Sequence, residues 1–313
     1  MLALRISVSA AMLAFLLSRF EPAALLPDGD PSTVPWLLLG LLVWFGAIVL
    51  GTVRWQRVLL ALDLPSPFSP LLSHSLAGLF VANFLPSTVG GDFLRVMRLS
   101  SDNGEAPGSF ASVALERLTG FVVLPVITLV GLALSPSLLH MGNATRLALA
   151  LSLATLVALG AILAVAGSPR LGGRLAGHPS WLRFVGAVHL GIDRFRRHPG
   201  AAASVLAVAF AYQLTVVTAA WVGAQVLDLH LSWMTMLALI PVVAIAQVLP
   251  ISVGGLGLRE GALVLLLQPL GVAAAKATAL GLLLYGLNLA VSLLGAPAFA
   301  VRRQAVSPLT ARP

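Results

Sequence analysis

The chain has 313 residues, of which 58% are hydrophobic and only 10% are charged. Soluble domains carry about 25% charged residues, so this composition excludes a soluble enzyme and indicates a polytopic membrane protein. The net charge of +8 comes almost entirely from arginine, which in the short loops of a membrane protein sets topology rather than binding nucleic acid. The chain has no cysteine, which excludes disulfides and thiolate metal sites.

Six apolar runs are long enough to cross a hydrocarbon core, which takes about 20 helical residues. They cover approximately residues 2–19, 35–53, 110–134, 146–167, 200–227 and 272–299. The first run has the features of a cleaved signal peptide as well as those of a retained span, and both alternatives stay open. Two shorter runs, 68–86 and 233–250, each lead into a proline and a glycine pair, so we expect them to enter the bilayer and turn back.

The two shorter runs end in related sequences that lie 164 residues apart. The first reads ANFLPSTVGGDFLR and the second AQVLPISVGGLGLR, and eight of the fourteen positions are identical without a gap. Such a repeat indicates two related structural units. We therefore predict an all-α polytopic membrane protein with two inverted-topology repeats, about 1–144 and 145–300, each with three transmembrane helices and one re-entrant helical hairpin. The whole chain, 1–313, then forms a single membrane domain with a short basic tail at 301–313.

Loop charges orient this arrangement. Arg54 and Arg57 follow the second run, and the segment 168–199 carries six arginines against one acid, whereas 20–34 and 228–232 are acidic. The positive-inside rule then places both termini in the cytoplasm, with the first hairpin entering from the cytoplasmic side and the second from the outside. A stretch within the basic segment alternates apolar residues and arginines at helical spacing. This pattern predicts a helix in the membrane interface, with partner binding as the alternative.

Each repeated motif combines helix-breaking residues with a charge. Proline lacks the amide proton that continues a helix, and glycine permits the positive φ of a tight reversal. Backbone groups left unpaired in lipid cost several kcal/mol each, so two such breaks favour a protein-walled or watery cavity over a kink that only aids packing. The predicted hinge residues are Pro86, Gly90, Gly91, Pro250, Gly254, Gly255 and Gly257.

A second half-helix is expected after each glycine pair, and its free N–H groups offer a site for an anion. Asp92 can cap the first half-helix, whereas Leu256 occupies the matching position of the second. From this difference we expect an anionic head group closer to residues 254–259 than to residues 90–95.

The central charges of the chain should line a polar cavity, because each charge facing lipid costs roughly 2.5–3.5 kcal/mol on the insertion scale. Snorkelling to the surface is the alternative for Arg98, Glu116 and Arg117. The expected head-group-binding residues are Arg95, Arg259, Asn83, Gln247, Asp92, Glu116, Arg117 and Glu260.

Three ordered motifs carry these residues. The first runs from Asn83 to Arg95 and reads NxLPSxxGGDxxR, the second begins at Glu116 and reads ERxxG, and the third begins at Leu249 and reads LPISxGGxGxREG. Together they resemble the flippase-like transmembrane region of lysylphosphatidylglycerol synthases. The resemblance covers nearly the whole chain. It implies an inner-membrane protein that moves phospholipid or polyprenyl-type lipid head groups between leaflets. Full-length synthases add an aminoacyl-transferase domain after this region, and the chain stops at Pro313, so we expect no synthase activity.

We therefore expect a flippase of the bacterial cytoplasmic membrane that holds an anionic phospholipid or a polyprenyl-phosphate-type lipid, with Arg95 and Arg259 on its phosphate. Glu116 and Glu260 balance these arginines or carry a coupling proton. No cofactor and no metal is expected, because the sequence shows neither a nucleotide-binding loop nor a metal-ligand pattern.

Two other functions stay open, as does the oligomeric state. The first is a membrane enzyme that acts on a lipid-linked phosphate or sugar and uses Asp92 with Glu116 as its acid/base pair. The second is a non-transporting scaffold for a separate lipid synthase, with the basic segment 168–199 as the contact surface.

Overall fold

The computed structural model describes residues 31–84, 90–168, 182–248 and 255–300, which are almost entirely helical and contain no strand. The helices are α1 (Thr33–Ala61), α2 (Phe68–Phe84), α3 (Gly90–Asn103), α4 (Ala106–Leu134), α5 (Asn143–Ala166), α6 (Leu182–Arg197), α7 (Pro199–Val226), α8 (Trp233–Gln247), α9 (Leu258–Leu267), α10 (Ala274–Ser292) and α11 (Gly295–Ala300). The all-α fold class predicted from the sequence is confirmed.

Five of these helices, α1, α4, α5, α7 and α10, are long and apolar enough to cross a membrane. They correspond to five of the six apolar runs, and the remaining run, 2–19, lies outside the described residues. Large apolar side chains such as Leu38, Leu42, Leu153 and Val157 stay exposed on their outer faces. Apolar surface of this extent fits helices that face lipid, and the chain is a multi-pass membrane protein.

The centre of the bundle is built from α1, α4, α7 and α8. α1 and α7 run antiparallel, with Trp36 against Trp221 near one end and Gly51 against Tyr212 further along. α8 is apolar on all sides, and every residue over 236–243 is buried, as expected for a helix surrounded by others.

α2 and α3 form an antiparallel helical hairpin. Gly78 of α2 lies against Gly91 of α3, and the His74 ring contacts Asp102 at 2.8 Å further from the connection. The two helices have 17 and 14 residues. At 1.5 Å per residue they are about 26 and 21 Å long, shorter than a hydrocarbon core of about 30 Å. Residues 85–89 lie outside the described residues, and the placement of this hairpin in a membrane stays a prediction.

α8 and α9 pack together at the third motif. Gln247, the last residue of α8, lies against Gly255, and Gly255 and Gly257 have φ of +77° and +80°. Only glycine adopts this backbone conformation without strain. Residues 249–254 lie outside the described residues, and the inverted relation between the two halves stays a prediction.

Two further helices pack on the ends of the bundle. α6 is joined to the end of α1 by an ion pair of 2.5 Å between Arg194 and Asp63. α11 packs on α2, with the Phe80 and Phe299 rings 6.0 Å apart, and Arg98 of α3 donates to the carbonyl oxygens of two α11 residues. The predicted helix in the basic segment is present as α6, and its position in the membrane interface stays a prediction.

Candidate functional site

A polar cavity of about 140 Å³ lies between the α2–α3 hairpin and the helices α1, α4 and α7. Small residues of the hairpin leave room for it, and the phenol ring of Tyr212 lies at its α7 side. Five charged side chains line it: Arg54, Asp92, Arg95, Glu116 and Arg117. Four of these five are among the residues predicted from the sequence.

Glu116 is the centre of this cluster and is 3% exposed. Its Oε1 atom accepts a hydrogen bond from Arg54, and its Oε2 atom accepts one from Arg95 at 3.1 Å. Gly120 follows one helical turn later, and a side chain there would press on the Arg54 guanidinium. The ERxxG motif therefore supplies a buried carboxylate together with the space for the arginine that it binds.

Asp92, in the first turn of α3, binds Arg117 and also Arg95, which it shares with Glu116. Its carboxylate accepts a hydrogen bond from Arg95 at 3.2 Å and two from Arg117 at 2.9 Å. Paired contacts of this kind are strong and fix the geometry of both partners. Within the described residues, the hydrogen bonds of Asp92 go to arginine side chains and not to the backbone N–H groups that it was expected to cap. Half of the Arg117 side chain is exposed, so this pair forms the rim of the cavity.

The cavity carries excess positive charge. Three arginines face two carboxylates, which leaves a net charge of three minus two, or +1. Arg54 and Arg95 are 5% and 9% exposed, and within the described residues their Nε atoms are buried without a hydrogen-bond acceptor. Buried guanidinium groups with free N–H donors are suited to bind phosphate.

Two aromatic rings hold these arginines in place. The Arg95 guanidinium lies 4.2 Å from the centre of the Trp55 ring, and that of Arg54 lies 4.6 Å from the centre of the Tyr212 ring. Cation–π contacts of desolvated groups contribute about 2 kcal/mol. The arginines are therefore positioned before any ligand arrives.

The third motif, which begins at Leu249, places a smaller charged pair at the start of α9. The Arg259 Nε atom donates to Glu260 at 3.2 Å, and Glu260 accepts from the backbone N–H of Gly257 at 2.6 Å. Both side chains are buried. The pair is neutral, although the Arg259 Nη2 atom is buried without an acceptor in the part of the chain that the structure describes.

This pair corrects the expectation that the second half-helix lacks an acidic cap. α9 begins at Leu258, so its third residue is Glu260, which caps the helix N-terminus. The comparison of Leu256 with Asp92 assumed that the second half-helix begins earlier in the chain. The reason for placing the anion closer to residues 254–259 therefore no longer holds. The excess positive charge lies instead at the polar cavity.

The α10 helix contacts the first and the third motif. Its Asn288 donates to Asn83, near the end of α2, at 3.0 Å and accepts from Trp44 of α1 at 3.1 Å. The Tyr285 ring of the same helix lies 5.3 Å from the Arg259 guanidinium. Residues three and four apart share one face of a helix. The first and third motifs therefore contact the same side of α10.

Of the other predicted residues, Gly91 lines the cavity, Gln247 does not, and three lie outside the described residues. Gln247 donates to a carbonyl of its own helix at 3.3 Å and does not line the cavity. Gly90 and Gly91 belong to the first turn of α3, where a side chain on Gly91 would clash with the Gly78 carbonyl. The predicted hinge residues Pro86, Pro250 and Gly254 lie outside the described residues.

Sequence reasoning missed Arg54 as a site residue and assigned it to a loop, because the apolar run ends at residue 53. The structure continues α1 to Ala61 and buries Arg54 inside it. Trp55, Val58 and Leu59 are fully buried beyond this position. Their spacing of three and four residues was a signal that the helix continues.

Comparison with known proteins identifies the family of the chain. No curated protein is significantly similar to the chain. The model of the family described as lysylphosphatidylglycerol synthase TM region matches residues 2–295, and this confirms the resemblance seen in the three motifs. The match ties the protein to lipid handling in a membrane. The chain belongs to the lysylphosphatidylglycerol synthase transmembrane-region family.

Proposed function

We propose that the protein moves a lipid between bilayer leaflets and binds the lipid phosphate in the polar cavity at Arg54, Arg95 and Arg117. The substrate class is an anionic phospholipid or a polyprenyl-phosphate-type lipid. The observation that carries the proposal is the buried excess of one positive charge at a cavity lined by a helical hairpin. The family's association with lipid handling supports it.

The outer face of α3 favours a lipid over a free anion. Phe93 and Met97 lie one turn apart on this helix and are 63% and 53% exposed. Phe93 directly follows Asp92, which forms the rim of the cavity with Arg117. A lipid can keep its acyl chains against this apolar surface while its head group enters the cavity. A soluble anion would gain nothing from such a surface.

The two carboxylates act as charge partners in this proposal. Glu116 and Asp92 hold the arginines while no ligand is bound, since a buried arginine without a partner is strongly destabilising. An entering phosphate takes over some of these hydrogen bonds. The alternative enzyme role of Asp92 with Glu116 is less well supported, because both carboxylates already bind guanidinium groups.

Movement follows from alternating access, in which one half of the protein rocks against the other. We place the protein in the bacterial cytoplasmic membrane with both termini inside, as the loop charges predict. Under this orientation the hairpin of α2 and α3 receives the head group from the cytoplasmic leaflet.

Proteoliposomes that contain fluorescently labelled phosphatidylglycerol test the proposal. A membrane-impermeant quencher measures how fast label reaches the outer leaflet. We expect movement with the protein, a rate at least about tenfold lower for Arg95→Gln, equivalent to about 1.4 kcal/mol, and an unchanged rate for Arg57→Gln, whose side chain is exposed on α1.

Three outcomes would contradict the proposal. Movement no faster than in protein-free liposomes would favour the scaffold role. A chemically altered lipid would favour the enzyme. Equal rates for Arg95→Gln and the wild type would show that the polar cavity does not bind the moving head group.

A further inference from the structure

A second cavity, of about 290 Å³, lies between α4, α5, α6 and α7. Leu118, Leu159, Leu163, Ile192 and Leu206 are among its walls, and only Thr119 and Arg196 contribute polar groups. α4 separates it from the polar cavity, because Glu116 and Arg117 face one side of this helix and Leu118 faces the other. The two cavities are therefore distinct sites.

Arg196 is the charged residue at this cavity, and its neighbours in the last turn of α6 are paired. Arg194 forms its ion pair with Asp63, and Arg197 forms one of 2.8 Å with Asp193. Arg196 instead donates to the Gly167 carbonyl at 3.2 Å, and among the described residues no carboxylate lies within ion-pair distance of it. Its charge is held beside the cavity without an acidic partner.

We propose that this cavity binds one acyl chain of an anionic phospholipid from the surrounding bilayer, with the lipid phosphate on Arg196. An apolar cavity has no groups to hold water and accepts apolar ligands instead, and acyl chains are the apolar ligand that a bilayer supplies. The unpaired guanidinium complements the lipid phosphate.

The lipid at this site has a different role from the transported one. It contacts α4, α5, α6 and α7 together, so it fastens the basic helix α6 to the bundle. It shares no residue with the polar cavity. The inference therefore stands whether or not the protein moves lipids.

Native mass spectrometry of the full chain in detergent, titrated with dioleoyl phosphatidylglycerol, counts the bound lipids. Ala202→Phe projects a ring into the cavity, whereas Ala203→Phe places the same ring on the exposed face of α7 as the matched control. We expect Ala202→Phe to lose one tightly bound lipid that Ala203→Phe keeps. An unchanged count for Ala202→Phe, or equal losses for the two variants, overturns the proposal.

A second pair of variants tests the phosphate contact without altering the apolar walls of the cavity. Arg196→Gln should weaken phosphatidylglycerol binding about tenfold, and Arg197→Gln should leave it within about twofold, since exposed ion pairs contribute little. Equal effects of the two substitutions overturn the assignment of Arg196. Arg95→Gln should keep this lipid bound, so a failure of lipid movement and a failure of this site give different results.

Discussion

Arg95 of α3 and Glu116 of α4 share a buried hydrogen bond of 3.1 Å, although 21 residues separate them in the chain. The bond fixes the helical hairpin to a membrane-spanning helix at the point where the polar cavity lies. Each side chain alone is costly to bury in a membrane. Their pairing explains how both are tolerated, and it makes the charge balance of the cluster a property that can be tested.

The first prediction concerns that charge balance. Arg54→Gln lowers the net charge of the cluster from +1 to 0, and Glu116→Gln raises it to +2, whereas the double variant returns it to +1. Because anion binding follows the net charge of a buried site, we expect lipid movement in proteoliposomes to be slower in Arg54→Gln and partly restored in the double variant. A double variant slower than both single variants would show that the individual contacts, not the charge, decide the rate.

The second prediction concerns the contact between α2 and α3. Gly91→Ala places a methyl group against the Gly78 carbonyl, and we expect a loss of stability of about 1–3 kcal/mol, as for other overpacked sites. Thermal unfolding in detergent measures it. Gly160→Ala, on the open face of α5, is the matched control and should be neutral or stabilising. Similar changes in stability for the two variants would mean that the close contact between α2 and α3 does not determine the stability of the protein.

The third prediction concerns the hydrogen bond between Asn83 and Asn288. A double-mutant cycle with both residues changed to alanine should give a coupling free energy of about 0.6 kcal/mol, the mean for such bonds in membranes. Chemical unfolding in mixed micelles provides the free energies. The cycle of Asn83 with Thr155, whose hydroxyl donates to a carbonyl of its own helix, should give no coupling. Equal coupling in the two cycles would contradict the contact.

The fourth prediction concerns the attachment of α11. Arg98→Ala removes the donors to the carbonyls of Ala298 and Phe299, so α11 should open more often. Hydrogen exchange of its backbone amides should rise, because exchange reports local opening. Arg57→Ala, which changes an exposed arginine on α1, should leave this exchange unchanged. Unchanged exchange in Arg98→Ala would show that apolar packing alone holds the helix.

The lengths of the apolar runs and the internal repeat were sufficient to predict the all-α class and five helices long enough to span a membrane. This is because a membrane-spanning helix is recognised by a long run of hydrophobic residues. The glycine and charge motifs also predicted Asp92, Arg95, Glu116 and Arg117 as site residues, which stays a prediction. These four lie together at the polar cavity.

Arg54 was missed because a charged residue at the end of an apolar run indicates the start of a loop. Its ion pair with Glu116 is visible in the structure and not in the sequence. The cap of α9 was misassigned because the repeat aligns residues, whereas a helix begins where the backbone allows it. The positive φ of Gly255 and Gly257 delays that start to Leu258. Both errors concern local geometry that a one-dimensional pattern does not contain.

The first and third motifs both contact α10, and this has a consequence for how the protein can respond to ligands. Asn288 and Tyr285 are less than one turn apart on this helix, so a small rotation of α10 about its axis alters the contacts of Asn83 and Arg259 at the same time. A molecule that binds one motif more tightly in one rotational position shifts α10 toward that position. It then changes the affinity of the other motif for a second ligand that also distinguishes the two positions, and the effect is reciprocal. The first and third motifs are then thermodynamically linked through a single helix.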